Sequence, residues 1–199
     1  MFEKIMKNLK EKKPLVHNIT NYVTVNDCAN ILLSIGASPI MADDINEVEE
    51  ITGICNALVI NIGTLNERTI ASMIKAGKRA TLLGRPVILD PVGAGASSLR
   101  TFTARQLLDE AGVSVIRGNI SEIKAILGGT GTTRGVDADE NDLSDGNALE
   151  SAIAAAEKLA AERGCAVIAT GKTDVVATGS KTYLIGNGHR FMSRITGTG

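Results

Sequence analysis

The chain has 199 residues and a formal net charge of −1, with 21 Lys and Arg against 22 Asp and Glu. This balance excludes a general electrostatic attraction to nucleic acid or to an acidic membrane surface, and 3% aromatic residues without Trp leave no stacking platform for bases. The N-terminal segment is charged throughout and no apolar run reaches the roughly 18 residues of a membrane span, so we expect a soluble, cytoplasmic protein.

The first third of the chain shows short elements. An amphipathic helix is predicted first, because apolar residues recur at helical spacing, and Pro14 ends it. The segment 15–21 is interpreted as a short apolar entry into a polar loop. The elements predicted in this part are a helix over 1–12, a helix over 26–35, a strand over 38–41 and a short helix over 46–52.

From residue 57 onward, apolar runs alternate with helical patterns. Strands are predicted over 57–63, 86–89, 113–116 and 165–169, and helices over 66–79, 103–111, 121–127 and 148–162. Such alternation is typical of βαβ units, and it predicts an α/β fold with a mainly parallel sheet and helices on both faces. Beyond Thr170 the pattern changes to a predicted β-meander over 174–178, 182–185 and 190–194. No linker interrupts the pattern, so we expect one domain over 1–199.

The cysteines and histidines form no metal-binding pattern. Cys28, Cys55 and Cys165 are odd in number, widely spaced and flanked by apolar residues, which predicts free thiols in a reducing compartment. The two histidines, His17 and His189, lie far apart in sequence and are interpreted as structural.

Three tempting motifs fail on spacing. Gly171-Lys172-Thr173 has Ala166 where a P-loop requires Gly, and the segment that follows is predicted to be extended rather than helical. Gly93-Ala94-Gly95 has Ser98 at the third glycine of a dinucleotide fingerprint. The acidic segment 137–145 lacks the glycine and the final Glu of a calcium loop, so it is interpreted as a solvated loop.

The last residues, Gly197, Thr198 and Gly199, follow an extended run and describe a strand that turns into a helix. Glycine lets backbone N–H groups approach a ligand, and a helix N-terminus carries partial positive charge. The turn is therefore a candidate anion hole for a phosphoryl group. Because a domain seldom ends on such a turn, we expect the sequence to be a fragment.

Polar groups also stand at the ends of the predicted strands. Asp90, Arg117 and Thr170 each close a strand, and Glu122 lies one turn into the helix after Arg117. In a parallel sheet these groups share one edge, and two carboxylates with a guanidinium suit a site for magnesium and a nucleotide. The alternative is that the carboxylates only cap helices and that Arg117 pairs with one of them.

Several segments together resemble the hydroxyethylthiazole kinase family of the ribokinase-like superfamily. They run in the family's order across nearly the whole chain, and their joint occurrence is far more specific than any single motif. The segments are PLVHNITNYV (14–23), GASPIMA (36–42), NIGTL (61–65), PVILDPVGAGAS (86–97), IRGNISEI (116–123), TGKTD (170–174) and ITGTG (195–199).

The resemblance implies a ribokinase-like three-layer sandwich and a homotrimer. It implies ATP-dependent phosphorylation, with Mg²⁺, of the primary hydroxyl of 4-methyl-5-(2-hydroxyethyl)thiazole in thiamine salvage. Carried over by position, the implied site residues are Met41, Asn21 and Gly197 for the thiazole, Arg117 and Thr170 for ATP, and Asp90 and Glu122 for Mg²⁺.

The sequence departs from the family at its end. In the family a cysteine follows the G-T-G turn, in the place where related sugar kinases carry an aspartate base, whereas this sequence ends at Gly199. We therefore expect the C-terminal helices and the general base to be missing and catalysis to be impaired. Two alternatives stay open: a related vitamin-precursor kinase such as a hydroxymethylpyrimidine kinase, and a non-catalytic module that binds nucleotide or thiazole.

Overall fold

The computed structural model describes residues 2–128, 147–189 and 191–194, apart from the side chain of Ser193. Eight strands form one sheet in the order β2-β1-β3-β4-β5-β6-β7-β8. The strands are β1 (Leu15–Ile19), β2 (Ser38–Met41), β3 (Ala57–Asn61), β4 (Val87–Asp90), β5 (Val115–Asn119), β6 (Ala166–Thr170), β7 (Asp174–Ala177) and β8 (Thr182–Ile185). The pairings among β1 to β6 are parallel, and β7 and β8 join antiparallel. The predicted α/β class with a mainly parallel sheet is confirmed.

Seven α-helices within the described ranges connect and cover the strands. They are α1 (Phe2–Lys12), α2 (Val25–Ile35), α3 (Val48–Ile54), α4 (Glu67–Leu82), α5 (Ser98–Glu110), α6 (Ile120–Ile126) and α7 (Asn147–Arg163). The core between helices and sheet is aliphatic, as the composition predicts: Leu58, Ile60 and Leu89 are fully buried. Strands this apolar fit a parallel sheet, since such sheets are covered on their faces.

Side-chain caps fix where the helices near the carboxyl edge of the sheet begin. The Asn66 side chain accepts a hydrogen bond from the backbone N–H of Thr69, and Asn119 does the same for Glu122. Ser97 accepts from the backbone N–H of Arg100, so α5 begins five residues before the predicted 103. Each cap satisfies a backbone donor that the first helical turn leaves without a partner.

The interpretation of 15–21 as a loop entry is wrong for its first five residues, because Leu15–Ile19 is a strand between β2 and β3. The sequence pattern did not indicate a strand here because His17 and Asn18 interrupt the apolar run. His17 is fully buried, yet its Nδ1 lies 2.9 Å from Thr52 Oγ1 and its Nε2 lies 2.8 Å from the Ala42 carbonyl oxygen. These partners come from distant parts of the chain, so a polar residue is satisfied within a strand.

The third strand of the predicted meander is also wrong. Met192–Arg194 forms a 3-10 turn, in which the N–H of Met192 donates to the His189 carbonyl and that of Arg194 to the Phe191 carbonyl. Local i to i+3 bonds replace the strand pairing there.

Two predictions fall on residues outside the described ranges, namely the acidic loop 137–145 and the terminal turn 195–199. In the part of the chain that is described, no helix combines the length and the apolar character needed to cross a membrane. All three cysteines are free, with Cys55 and Cys165 buried and Cys28 half-buried.

Candidate active site

The six parallel strands end along one edge of the sheet, and each brings a polar or sulfur-containing side chain to it. In spatial order these are Met41 at the end of β2, Asn21 just after β1, Asn61 ending β3, Asp90 ending β4, Arg117 in β5 and Thr170 ending β6. Five of the six were singled out from the sequence, and Asn61 was not. The edge therefore forms a row of candidate groups, one for each strand.

The row is too long for one small group to touch all of it. Strands lie about 4.8 Å apart, so the five steps from β2 to β6 separate Met41 from Thr170 by roughly 24 Å. Asp90 lies three strands from Met41 and two from Thr170. Two ligands approaching from opposite ends would meet near Asp90.

Asp90 and Arg117 form the charged centre of this edge. Arg117 Nη1 lies 3.5 Å from Asp90 Oδ2, and the side chains are 33% and 21% exposed. Burial raises the pKa of Asp90 to about 6, although the nearby Arg117 charge and the hydrogen bond from Asn61 act to lower it. The carboxylate is therefore only partly compensated by its partners.

Glu122 lies beside this pair but is held differently. It is 3% exposed; its Oε1 accepts from the Gly93 N–H at 2.7 Å and its Oε2 from the Asn119 N–H at 2.8 Å. Burial raises the pKa of Glu122 to about 7; the two backbone bonds lower it, Asp90 raises it further and Arg117 lowers it. This carboxylate ties the loop after β4 to the start of α6.

Two glycines allow this close approach. Gly93 has φ +74°, in the left-handed region, and a Cβ on it would collide with the Arg100 guanidinium. A Cβ on Gly118 would stand 2.9 Å from Glu122 Oε2 and 3.4 Å from Pro91 Cγ. The left-handed backbone of Gly93 favours glycine, and at Gly118 a larger residue would have to displace the Glu122 carboxylate.

Arg100 was missed from the sequence and joins two loops of the edge. Its Nη1 donates to the Val92 carbonyl at 3.2 Å and its Nη2 to the Gly63 carbonyl at 2.9 Å. The loops after β3 and β4 are thereby held together. Nothing in the local sequence marks this role, since Gly63 lies 37 positions away.

On the Met41 side, the edge is built from amides. Asn21 and Asn61 are both buried, and Asn21 Nδ2 donates to Asn61 Oδ1 at 3.0 Å. Asn61 Nδ2 in turn donates to Asp90 Oδ2 at 2.9 Å. This amide half of the edge, Asn21 and Asn61, is thus connected by direct hydrogen bonds to its charged half, Asp90 and Arg117.

Comparison with known proteins places this chain among kinases. The model of the "Hydroxyethylthiazole kinase family" matches residues 6–199. A hydroxyethylthiazole kinase of Clostridium acetobutylicum is 58% identical over 199 residues, which is 100% of this chain and 73% of that protein. The chain belongs to the hydroxyethylthiazole kinase family.

Solved structures agree with this membership. The hydroxyethylthiazole kinase of Pyrococcus horikoshii OT3 is 40% identical, with a TM-score of 0.86 over 98% of this chain and 70% of that one. A ribokinase-like superfamily protein of Enterococcus faecalis is 9% identical, with a TM-score of 0.58 over 92% of this chain and 66% of that one. The second likeness concerns the fold alone. The ribokinase-like fold and the family implied by the resemblance are both confirmed.

For a member of this kinase family, the fit of the edge to Mg²⁺ can be judged from its oxygen donors. Magnesium in proteins is bound through one or two carboxylates, with waters and substrate phosphates completing the octahedron. Asp90 suits this: its side chain is 21% exposed, and the hydrogen bond from Asn61 reaches only Oδ2. Both oxygens of Glu122 accept backbone hydrogen bonds, so its predicted contact with the metal stays a prediction.

No group of three or more His, Cys, Asp and Glu in the described ranges could hold a metal by itself.

Proposed function

We propose that this chain transfers the γ-phosphoryl group of ATP to the primary hydroxyl of 4-methyl-5-(2-hydroxyethyl)thiazole. The observation that carries the proposal is the Asp90–Arg117 pair at the middle of the carboxyl edge, with the buried amides Asn21 and Asn61 on one side and Thr170 on the other, in a chain of this family. Phosphoryl transfer needs little covalent chemistry from the protein, and catalysis consists mostly of positioning and charge neutralisation.

The thiazole alcohol is assigned to the amide half of the edge, on the side of Met41. Met41 is half-buried at the end of β2 and offers a soft, polarisable contact to a flat, sulfur-containing ring. Asn21 lies after the neighbouring strand and has a firmly oriented amide, because its Oδ1 accepts from the N–H groups of Val23 and Thr24. A neutral ring gives up little hydration free energy when it moves from water to contacts with Met41 and Asn21.

ATP is assigned to the other half. Arg117 can pair its planar guanidinium with phosphate oxygens, and the half-buried Thr170 stands one strand further along, opposite Asn119. Gly197, Thr198 and Gly199 complete the proposal as an anion hole for the transferring phosphoryl group. Their position lies outside the described residues, so this part rests on the sequence.

Mg²⁺ is assigned to Asp90, with Glu122 as a second carboxylate. When bound, the ion would neutralise charge on the β- and γ-phosphates. Asp90 would hold it through its carboxylate, and Glu122 would keep the Gly93 loop in place beside it.

We also propose a homotrimer that works in the cytoplasm. A surface suited to subunit contact is α2, which is amphipathic, contributes no buried residue and exposes Ile31 by 61% and Leu33 by 59%. Ile31 and Leu33 lie on different sides of the helix, and large exposed apolar side chains are common at subunit interfaces. Light scattering at several concentrations would give the number of subunits.

The function is tested by incubating the chain with Mg²⁺, ATP and either the thiazole alcohol or hydroxymethylpyrimidine, and by measuring each phosphorylated product by mass spectrometry. Phosphorylation of the thiazole alcohol alone is expected. Preferential phosphorylation of the pyrimidine would make the chain a different vitamin-precursor kinase. Binding of nucleotide or thiazole without turnover would indicate a non-catalytic module.

A further inference from the structure

Asn61 occupies the boundary between the two halves of the edge. It ends β3, which lies between β1 and β4, and it is only 9% exposed. A buried amide must find partners for both its oxygen and its nitrogen, because an unsatisfied one costs about 1–3 kcal/mol. Where those partners lie therefore shows what the residue holds together.

Its amide orientation is determined by three contacts. Oδ1 accepts from the Gly63 N–H at 2.9 Å and from Asn21 Nδ2 at 3.0 Å, while Nδ2 donates to Asp90 Oδ2 at 2.9 Å. A flipped amide would set its NH₂ against two donors and its oxygen against a carboxylate. Only one orientation satisfies every neighbour.

The Asn21 partner is equally constrained. Asn21 Oδ1 accepts from the N–H groups of Val23 and Thr24 and from Thr24 Oγ1, at 3.0 to 3.1 Å. Its Nδ2 therefore has to face Asn61. The hydrogen-bond direction from the loop after β1 to β3 and on to β4 is unique.

The hydrogen bond from Asn61 also constrains the carboxylate of Asp90. Asn61 and Arg117 both engage Oδ2, one at 2.9 Å from the β3 side and one at 3.5 Å from the β5 side. The carboxylate is held between two neighbouring strands. Asn61 thus helps to fix the position in which the Asp90 carboxylate is presented to a ligand.

Close packing leaves this arrangement little freedom. A Cβ on Gly63 would lie 3.0 Å from both Asn21 Cβ and Asn61 Oδ1, tighter than ordinary contact, and the Gly63 carbonyl is held by Arg100. The loop backbone therefore lies directly against the two amides. A displacement of Asn21 cannot be absorbed without moving Asn61.

We infer that Asn61 is a positioning residue that couples the thiazole end of the site to its phosphate end, through its hydrogen bonds to Asn21 and Asp90. The inference rests on the proposed function, since that function assigns the two ends. A ligand that displaces Asn21 would shift Asp90 through Asn61, and a ligand that displaces Asp90 would shift Asn21 in return. Such coupling is reciprocal by thermodynamic necessity.

The test uses isosteric variants of the full chain. Asn61→Asp keeps the oxygen that accepts from Gly63 and Asn21 but replaces the donor to Asp90 with a second carboxylate oxygen. Asn21→Asp keeps the oxygen that caps Val23 and Thr24 but replaces the donor to Asn61. Asn66→Asp is the matched control, since it makes the same change at an exposed N-cap where Asp serves as well as Asn.

The main readout is binding rather than turnover. Calorimetry gives the Kd of the thiazole alcohol with and without saturating Mg²⁺ and the β,γ-imido analogue of ATP. We expect the analogue to tighten thiazole binding by about 5-fold or more in the unmodified chain and in Asn66→Asp, and by less than about 2-fold in Asn61→Asp and Asn21→Asp. Steady-state kinetics should show kcat falling about 100-fold in Asn61→Asp, while KM for the thiazole alcohol changes by no more than about 3-fold.

The two proposals fail in different ways. An unmodified chain that binds neither ligand removes the proposed function and the coupling with it. Thiazole phosphorylation by the unmodified chain, together with no coupling, or with the same coupling in Asn61→Asp, overturns the inference alone. If Asn61→Asp does not fold, as judged by circular dichroism, the decision passes to Asn21→Asp, where unchanged coupling has the same meaning.

Discussion

The two halves of the carboxyl edge solve the problem of burying polar groups in different ways. In the amide half, Asn21 and Asn61 are at least 91% buried, but they are neutral and their partners are matched. In the charged half, burial raises the pKa of Asp90 to about 6 and that of Glu122 to about 7 in spite of their hydrogen bonds. The amides are already in a satisfied state, whereas the carboxylates are held at a cost to stability.

The difference indicates how the site divides its work. A neutral ring has to be positioned but needs no charge neutralised, and buried amides with matched partners suit that task. Carboxylates kept away from water gain most when a cation and its phosphates arrive, because charge interactions are stronger where water is excluded. We therefore expect that removing a carboxylate from the charged half raises stability but lowers activity, and that the amide half shows no such opposition.

The sharpest test of this expectation is Asp90→Asn. We expect kcat to fall by about 1000-fold, because the group assigned to the metal is neutralised, while stability rises. The unfolded carboxyl titrates near 3.9 and the folded one near 6, so the folded state binds more protons in between, and stability falls as pH rises through that window. In Asp90→Asn this position carries no carboxyl group, so its deprotonation no longer lowers the stability of the fold.

Chemical denaturation without Mg²⁺ measures the stability part of this prediction. At pH 8 Asp90→Asn should be more stable than the unmodified chain by on the order of 1 kcal/mol, and at pH 4 the difference should disappear. An equal or lower stability at pH 8 would contradict the division between the two halves.

The next effect concerns Arg117→Ala. Removing the guanidinium should raise KM for ATP by about 100-fold and leave KM for the thiazole alcohol within about 3-fold, because only the charged half loses a group. Arg163→Ala is a suitable control, since Arg163 pairs with Asp109 at 2.6 Å between α7 and α5, away from the row of strand-end groups. Unchanged nucleotide affinity would remove Arg117 from the site.

Glu122→Gln separates the two carboxylates from each other. A glutamine has one acceptor oxygen, so either the Gly93 or the Asn119 N–H would face an NH₂ group and lose its bond. At pH 4, where both carboxyls are largely protonated and neither variant gains by removing a buried charge, we expect Glu122→Gln to lose about 1–3 kcal/mol, seen as a lower melting temperature, and Asp90→Asn to lose nothing. Unchanged stability of Glu122→Gln at pH 4 would mean that Glu122 acts as a charge and not as the tie between two loops.

The smallest effect is expected at His17, beneath the amide half. Burial lowers the pKa of His17, so the folded state resists protonation while the unfolded chain binds a proton below about 6.5. The contribution of His17 to stability is therefore present at pH 7 and is lost as the pH falls below about 6.5. Comparing His17→Asn with the unmodified chain at pH 7 and pH 5.5 should show the variant losing less on acidification, by about 1 kcal/mol or less.

The sequence alone determined the alternation of strands and helices and the placement of Asp90 and Thr170 at strand ends, although β5 runs two residues past Arg117. Both follow from local signals: hydrophobic periodicity is set by neighbouring residues, and parallel strands necessarily end at a common edge. The family could likewise be inferred from seven segments, because their residues and their order along the chain can be read without knowing the fold.

Only the tertiary structure decided the rest, because those features depend on contacts between distant residues. His17 and Asn18 belong to a strand because partners from other elements, such as Thr52 35 positions away, satisfy the histidine. Asn61 became part of the site through Asn21 and Asp90, which lie 40 and 29 positions away. Glu122 was predicted as a metal ligand from its type, yet its environment is set by Gly93, 29 positions before it. A side chain's role in such an edge is defined by what the neighbouring strands bring to it, and no local pattern records that.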